Sequence, residues 1–207
     1  MIKKYSIAFI FLIIFFALLY VNISPAPEAE PLEFNSLRIA AVEEPASVPI
    51  LLASKEGSFF QRNLRVDLNL LENKEQLQNA ILAGVADGAI LGLKEAALLQ
   101  ADGIYVKVIA VFGYNEEPIS SPGDYRAIVF SGEALTEQRR EINIFHHIYS
   151  GMVTELARKE YVDNGFDYSQ AFLSLPRREE VTRLIKKLQH ENQLPEDYVY
   201  EDLIDTE

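Results

Sequence analysis

Residues 37–92 read LRIAAVEEPASVPILLASKEGSFFQRNLRVDLNLLENKEQLQNAILAGVADGAILG. Within this stretch one move repeats: a short apolar run, a polar turn, then a helical stretch closed by glycine. The apolar runs are 37–42 (LRIAAV), 64–71 (LRVDLNLL) and 89–91 (AIL), and 106–112 (VKVIAVF) follows as a fourth. The helical stretches close near Gly57, Gly84 and Gly103. Strand and helix alternating over short joints predict an α/β fold with a mostly parallel sheet, because parallel strands need a crossover and the usual crossover is a helix. In open parallel sheets ligands sit beyond the carboxyl ends of the strands. The pattern therefore marks its own site edge: 43–47, 72–74, 92–93 and 113–114.

Ser47 fits an N-cap and Pro49 the first helical turn, where its missing N–H costs nothing. Asn73 and Gln76 form a capping pair, followed by an apolar face of Leu77, Ala80 and Ile81. Helix N-termini on this edge present N–H groups and a partial positive charge, suited to an anionic or polar ligand. Glu43 and Glu44 argue the other way: they repel an anion and suit an amine, or else are solvated loop carboxylates. Ser47 and Asn73 serve as caps, with ligand contact the alternative. Gly92, at a strand end, allows close approach of a ligand. The ligand-binding candidates are thus Glu43, Pro45, Ser47, Asn73 and Gly92.

The order of the pieces carries a resemblance. Residues 53–60 (ASKEGSFF) stand where periplasmic solute-binding proteins of the nitrate/sulfonate/taurine and thiamine-precursor type have Ala-x-x-x-Gly-x-Phe. Residues 64–67 (LRVD) match that family's second strand, and 83–89 (AGVADGA) its small-Gly-x-x-Asp-x-Ala turn. Residues 184–205 resemble its last helix and closing segment. The resemblance spans about 37–207 and implies a Rossmann-like lobe, a small polar solute, and a transporter permease or another membrane-complex subunit as partner. After Tyr114 the chain departs from the family. Relatives pass through a hinge into a second lobe, whereas here only 115–124 separate strand four from RAIVF (126–130), which resembles the returning strand. A domain of roughly 100 residues, a common lobe size, is missing, so a single lobe is expected. A half-site open to water holds a ligand weakly, because small-molecule sites normally bury most of the ligand. The uncovered cleft face, with Tyr114, Ile119 and Tyr125 near the shortened connection, is either a protein-binding patch or a polar solvated surface. Two helices are expected after the returning strand, over 136–159 and 176–190, with Ile142, Phe145, Tyr149, Met152 and Leu156 inward on the first.

With 19 basic against 31 acidic residues, the chain lacks the basic stripe of a nucleic-acid binder. The absence of cysteine excludes disulfides, thiolate metal sites and a lipidated cysteine. Lys3 and Lys4 precede an uncharged, mainly apolar run over 7–23. This run reads as an uncleaved transmembrane anchor, with a cleaved signal peptide the alternative. The lysines stay on the cytoplasmic side and everything after the run lies outside. The expected organisation is an anchor over 1–23, a Pro/Glu-rich linker over 24–36, and the domain over 37–207.

No catalytic motif is present: there is no Gly-x-Ser-x-Gly, no His-Glu-x-x-His and no phosphate loop. His146 and His147 are neighbours whose side chains diverge by about 100° on a helix and cannot share an ion. Asp87 reads as a turn residue. No enzyme activity, cofactor or metal is expected. The function expected is a membrane-anchored, extracytoplasmic solute-binding-like protein working with an uptake transporter or sensor. The alternative is an interaction module that has lost its ligand.

Overall fold

The computed structural model describes residues 35–114, 126–174, 178–199 and 203–205. The first strand, β1 (Asn35–Val42), is buried from Ile39 to Ala41 and takes a central place in the sheet. Apolar residues on both faces are what a strand covered by helices on both sides requires. It pairs in parallel with β2 (Leu64–Leu71) over its whole length and with β3 (Gly88–Gly92) at Ile39 and Ala40. The crossovers are α1 (Val48–Lys55) and α2 (Lys74–Leu82). The expected parallel core is therefore present.

The other half of the sheet runs differently. The strand order is β2-β1-β3-β5-β4-β8, with β4 at Val106–Tyr114, β5 at Arg126–Ser131 and β8 at Ala171–Ser174. Four strands share one direction, while β5 and β8 are antiparallel to their neighbours. Strand β5 inserts between β3 and β4, so the returning strand lies in the same sheet as β1. Residues 34–207 cluster as one compact unit.

Helices cover both faces. Helix α1 and the long α5 (Arg139–Arg158) lie over one face, where Phe145 stacks on Phe59 and Tyr149 and meets Phe130 edge-on. Helices α2, α3 (Leu93–Ala101) and α6 (Arg178–His190) cover the other, with Leu77, Leu93, Val181 and Leu188 buried. Burying an aromatic ring of this size contributes about 1.5–3 kcal/mol. Of the adjacent Phe59 and Phe60, the first is buried and the second is 64% exposed.

The helix expected over 136–159 is two helices. Helix α4 (Gly132–Glu137) starts earlier, capped by the Ser131 hydroxyl, which accepts from the Ala134 N–H at 3.2 Å. Gln138 then leaves helical geometry (φ −125°, ψ 28°) before α5 begins. A hairpin of β6 (Val162–Asp163) and β7 (Phe166–Asp167) was not anticipated. Its turn, Asn164-Gly165, has both φ values positive (46° and 81°), the geometry that favours this dipeptide. The expected anchor over 7–23, the linker up to residue 34, and the patch residues Ile119 and Tyr125 lie outside the described residues, while Asn35 and Ser36, expected in the linker, open β1. Among the described residues no helix is long and apolar enough to cross a membrane.

Candidate functional site

The carboxyl ends of β1, β2, β3 and β4 lie along one edge of the sheet. Because β5 is antiparallel to β3, with Gly92 opposite Arg126, the first residue of β5 falls on the same edge. This places Arg126 beside the loop after β1, and its Nε donates to Glu44 Oε2 at 2.6 Å. Arg126 and Glu44 retain 27% and 11% side-chain exposure. A second pair stands on the neighbouring strand ends: Lys74 Nζ donates to Glu95 Oε1 at 2.7 Å. Two carboxylates, Glu44 and Glu95, thus stand at the ends of the adjacent strands β1 and β3, flanked by Lys74 after β2 and Arg126 on β5.

The loop carrying Glu44 is held from below by two tyrosines. The fully buried Tyr149 O–H donates to the Ala46 carbonyl at 2.6 Å, and Tyr168 O–H donates to the Pro45 carbonyl at 2.7 Å. Burial pushes both phenols well above their ordinary range, so they remain protonated donors. The Ser47 hydroxyl closes the turn by donating to the Glu44 carbonyl at 2.7 Å. The backbone bearing Glu44 is therefore fixed by three side chains.

The electrostatics of the two carboxylates differ. Burial raises the Glu44 pKa above the usual value, against the opposing pull of Arg126 and Lys74. Burial also works against ionisation at Glu95, but Lys74, the residue's own backbone N–H and Arg126 outweigh it and hold that carboxyl low. Glu44 Oε1 is buried without a hydrogen-bond partner. Such an atom costs about 1–3 kcal/mol, more when charged, unless something donates to it.

The five sequence-predicted residues all lie on this edge, in different roles. Glu43 is exposed. Pro45 offers its carbonyl to Tyr168. Ser47 is fully buried and stands at the N-cap of α1 as read, though its hydroxyl makes no cap bond there, and Glu44 is the N-cap of the short 3-10 helix that precedes α1. Asn73 caps α2, accepting from Gln76 N at 2.9 Å, while Gln76 Oε1 accepts from Glu72 N at 3.1 Å, so the capping pair is as read. Gly92 is buried at the N-cap of α3, and the Glu95 carboxylate occupies the space a Cβ would fill.

Sequence reasoning missed Lys74, Glu95 and Arg126 as site residues. Lys74 and Glu95 sat in the first turns of expected helices. The signal for Arg126 was the returning strand itself, whose antiparallel course sends its first residue to the strand-end edge. Asp87 proves structural: it is buried and accepts from the Arg38 backbone N–H at 2.7 Å and from the Arg38 guanidinium. His146 is half-buried and His147 exposed on α5, with burial lowering the His146 pKa. Among the described residues no group of three or more His, Asp or Glu is placed to hold a metal ion.

Comparison with known proteins reveals a shared fold at very low identity. The chain is similar in structure to the ligand-binding component of an ABC-type import system from Staphylococcus aureus with zinc bound (TM-score 0.65, 10% identity, 83% of this chain and 96% of that one). It is also similar to the Candida albicans CA3427 gene product, described as having the generic periplasmic binding protein fold (TM-score 0.59, 12% identity, 79% and 92%). A third likeness is to the periplasmic aliphatic sulphonate-binding protein SsuA of Escherichia coli (TM-score 0.55, 9% identity, 78% and 94%). No family model and no curated protein matches the sequence. The chain thus has the fold of periplasmic solute-binding proteins, with residues 34–207 forming one compact unit.

Proposed function

We propose that this chain is a single-lobed, solute-binding-like protein held at the outer side of the cytoplasmic membrane by residues 1–23, working with an uptake transporter or an extracytoplasmic sensor. The observation that carries the reading is the coincidence of the strand-end edge, where such folds take ligands, with Glu44, Arg126, Lys74 and Glu95. Glu43, Pro45, Asn73 and Gly92 frame that edge, and the buried Ser47 shapes it. A half-open site holds its solute at high micromolar to millimolar levels, about 4–6 kcal/mol. A protein tethered beside a permease tolerates that weakness, since tethering raises the effective concentration of one partner at the other.

Gly92→Leu tests the site. Its side chain enters the space of the Glu95 carboxylate, displaces that group from Lys74 and fills the edge. A thermal-shift panel of polar solutes, run beside an affinity pull-down on the full chain, should show solute stabilisation in the wild type and none in Gly92→Leu. Binding unchanged in the variant rejects the site. Cell fractionation should find the intact chain in membranes with its initiating methionine. A soluble form beginning near Pro27 rejects the anchor.

A second reading, an interaction module within a membrane complex, is favoured by one feature. A groove along α5 is lined by Arg62, Arg139, Arg140, Asn143, Ile144, His147 and Ile148. Mixed arginine and isoleucine on an open helix face suits a protein contact. On that reading the panel stabilises nothing, and a pulled-down partner is lost on substitution along α5 instead of at Gly92.

A further inference from the structure

We propose that the solute taken at this edge carries a protonated amine, bound by the unpaired carboxylate oxygen of Glu44. The inference rests on the strand-end site proposed above and assigns its ligand class. Four observations support it. Glu44 is bonded on one side only: Oε2 receives Arg126, while Oε1 is buried with no donor. The side chain has no easy escape to water, because its backbone is pinned by Tyr149, Tyr168 and Ser47. A fixed acceptor with an unused lone pair costs no reorganisation when a donor arrives, and a charged donor gives the stronger bond.

The third observation is the charge of the edge. Glu43, Glu44, Glu72 and Glu95 stand there against Lys74 and Arg126, and both cations already face a carboxylate. An anionic solute would meet that negative surplus. The fourth concerns the helix N-termini, the one feature favouring an anion. Some of these N–H groups are already engaged from within the chain. Asn73 takes the Gln76 N–H and Gln76 takes the Glu72 N–H at the start of α2, and the Glu95 carboxylate lies against Gly92 at the start of α3. Before α1 the short turn closes on itself, with the Ser47 N–H and hydroxyl both donating to the Glu44 carbonyl. With part of those donors engaged, a surplus of carboxylates and an acceptor left over, the balance favours a cation.

The test uses isothermal titration of the full chain at pH 7 with n-propylammonium, n-propanol and n-propanesulfonate, which share a tail and differ in head-group charge. Propylammonium should bind best, and Glu44→Gln, checked for a wild-type unfolding temperature, should weaken it about tenfold, as expected for a charge-assisted bond replaced by a neutral one. Arg126→Gln, which releases Oε2, should retain or tighten propylammonium binding. A purely structural Glu44–Arg126 pair predicts instead that both variants lose binding together. Saturable binding of propanesulfonate in preference to propylammonium overturns the ligand class and leaves the solute site standing. No saturable binding of any of the three overturns both.

Discussion

Replacing Tyr149 by phenylalanine removes one oxygen from a fully buried ring and leaves the Ala46 carbonyl without its donor. The hydrogen bond is 2.6 Å long, and Tyr149 and Ala46 are 0% and 1% exposed, so water cannot substitute. An unsatisfied buried carbonyl costs about 1–3 kcal/mol. Tyr168→Phe removes the same kind of bond from Pro45, which is only half-buried, and there water recovers part of the loss. Its cost is set at about 0.5–1.5 kcal/mol. The two carbonyls are consecutive in one turn, so the double variant should depart from additivity by about 0.5 kcal/mol or more. The assay is denaturant unfolding of the full chain followed by near-ultraviolet tyrosine dichroism. Thermal scans should show midpoints falling by about 2–4 °C per kcal/mol for a domain of this size. If both single variants lose less than about 0.5 kcal/mol, the hydrogen bonds do not hold the loop, and the argument that Glu44 is presented by a fixed backbone fails.

Gly88→Ala tests the packing beneath the site: an added Cβ would lie 2.7 Å from the Phe130 ring and from the Val129 carbonyl oxygen. Overpacking of this kind should destabilise by about 1–3 kcal/mol in the same unfolding assay. Stability as a function of pH separates the two carboxylates. The Glu44 pKa is raised in the fold, so its ionised form is the disfavoured one, and the wild type should gain stability over Glu44→Gln as pH falls through the range just above the ordinary glutamate value. The Glu95 pKa is lowered, so its contribution is present above the ordinary glutamate value and lost on acidification below it. The wild type should accordingly exceed Glu95→Gln at neutral pH and converge with it in acid. Parallel curves for wild type and either variant would contradict the assignment.

The parallel half of the sheet was legible because local rules act there. Apolar runs of strand length, glycines 57 and 84 at positive φ, and the Asn73–Gln76 cap lie within a few residues of what they determine. The antiparallel half depends on partners far apart in sequence. Nothing local to Arg126–Ser131 states that it will run against β3 and β4, and that direction alone carries Arg126 to the site. The Glu44–Arg126 pair spans 82 residues and the Tyr168–Pro45 bond 123, so neither is written in a spacing. Ser47 misled for a physical reason. Serine before a helix signals a capping hydroxyl; Ser47 does stand at the N-cap of α1, but a 3-10 turn precedes that helix and draws the hydroxyl back onto the Glu44 carbonyl. The Asn164-Gly165 turn was available in the sequence, since that dipeptide is a strong hairpin signal, and flanking strands of two residues left it little pattern to join.

The central claim is that a small polar solute binds at the strand-end edge of one lobe. Backbone amide NMR of the full chain in detergent micelles, titrated with n-propylammonium and then with a mixture of amino acids, tests it most directly. The account predicts saturable shift changes concentrated at residues 43–47, 72–74, 92–95 and 126, absent in Gly92→Leu. Changes confined to residues 139–148 on α5, or no saturable change in any amide, would contradict it.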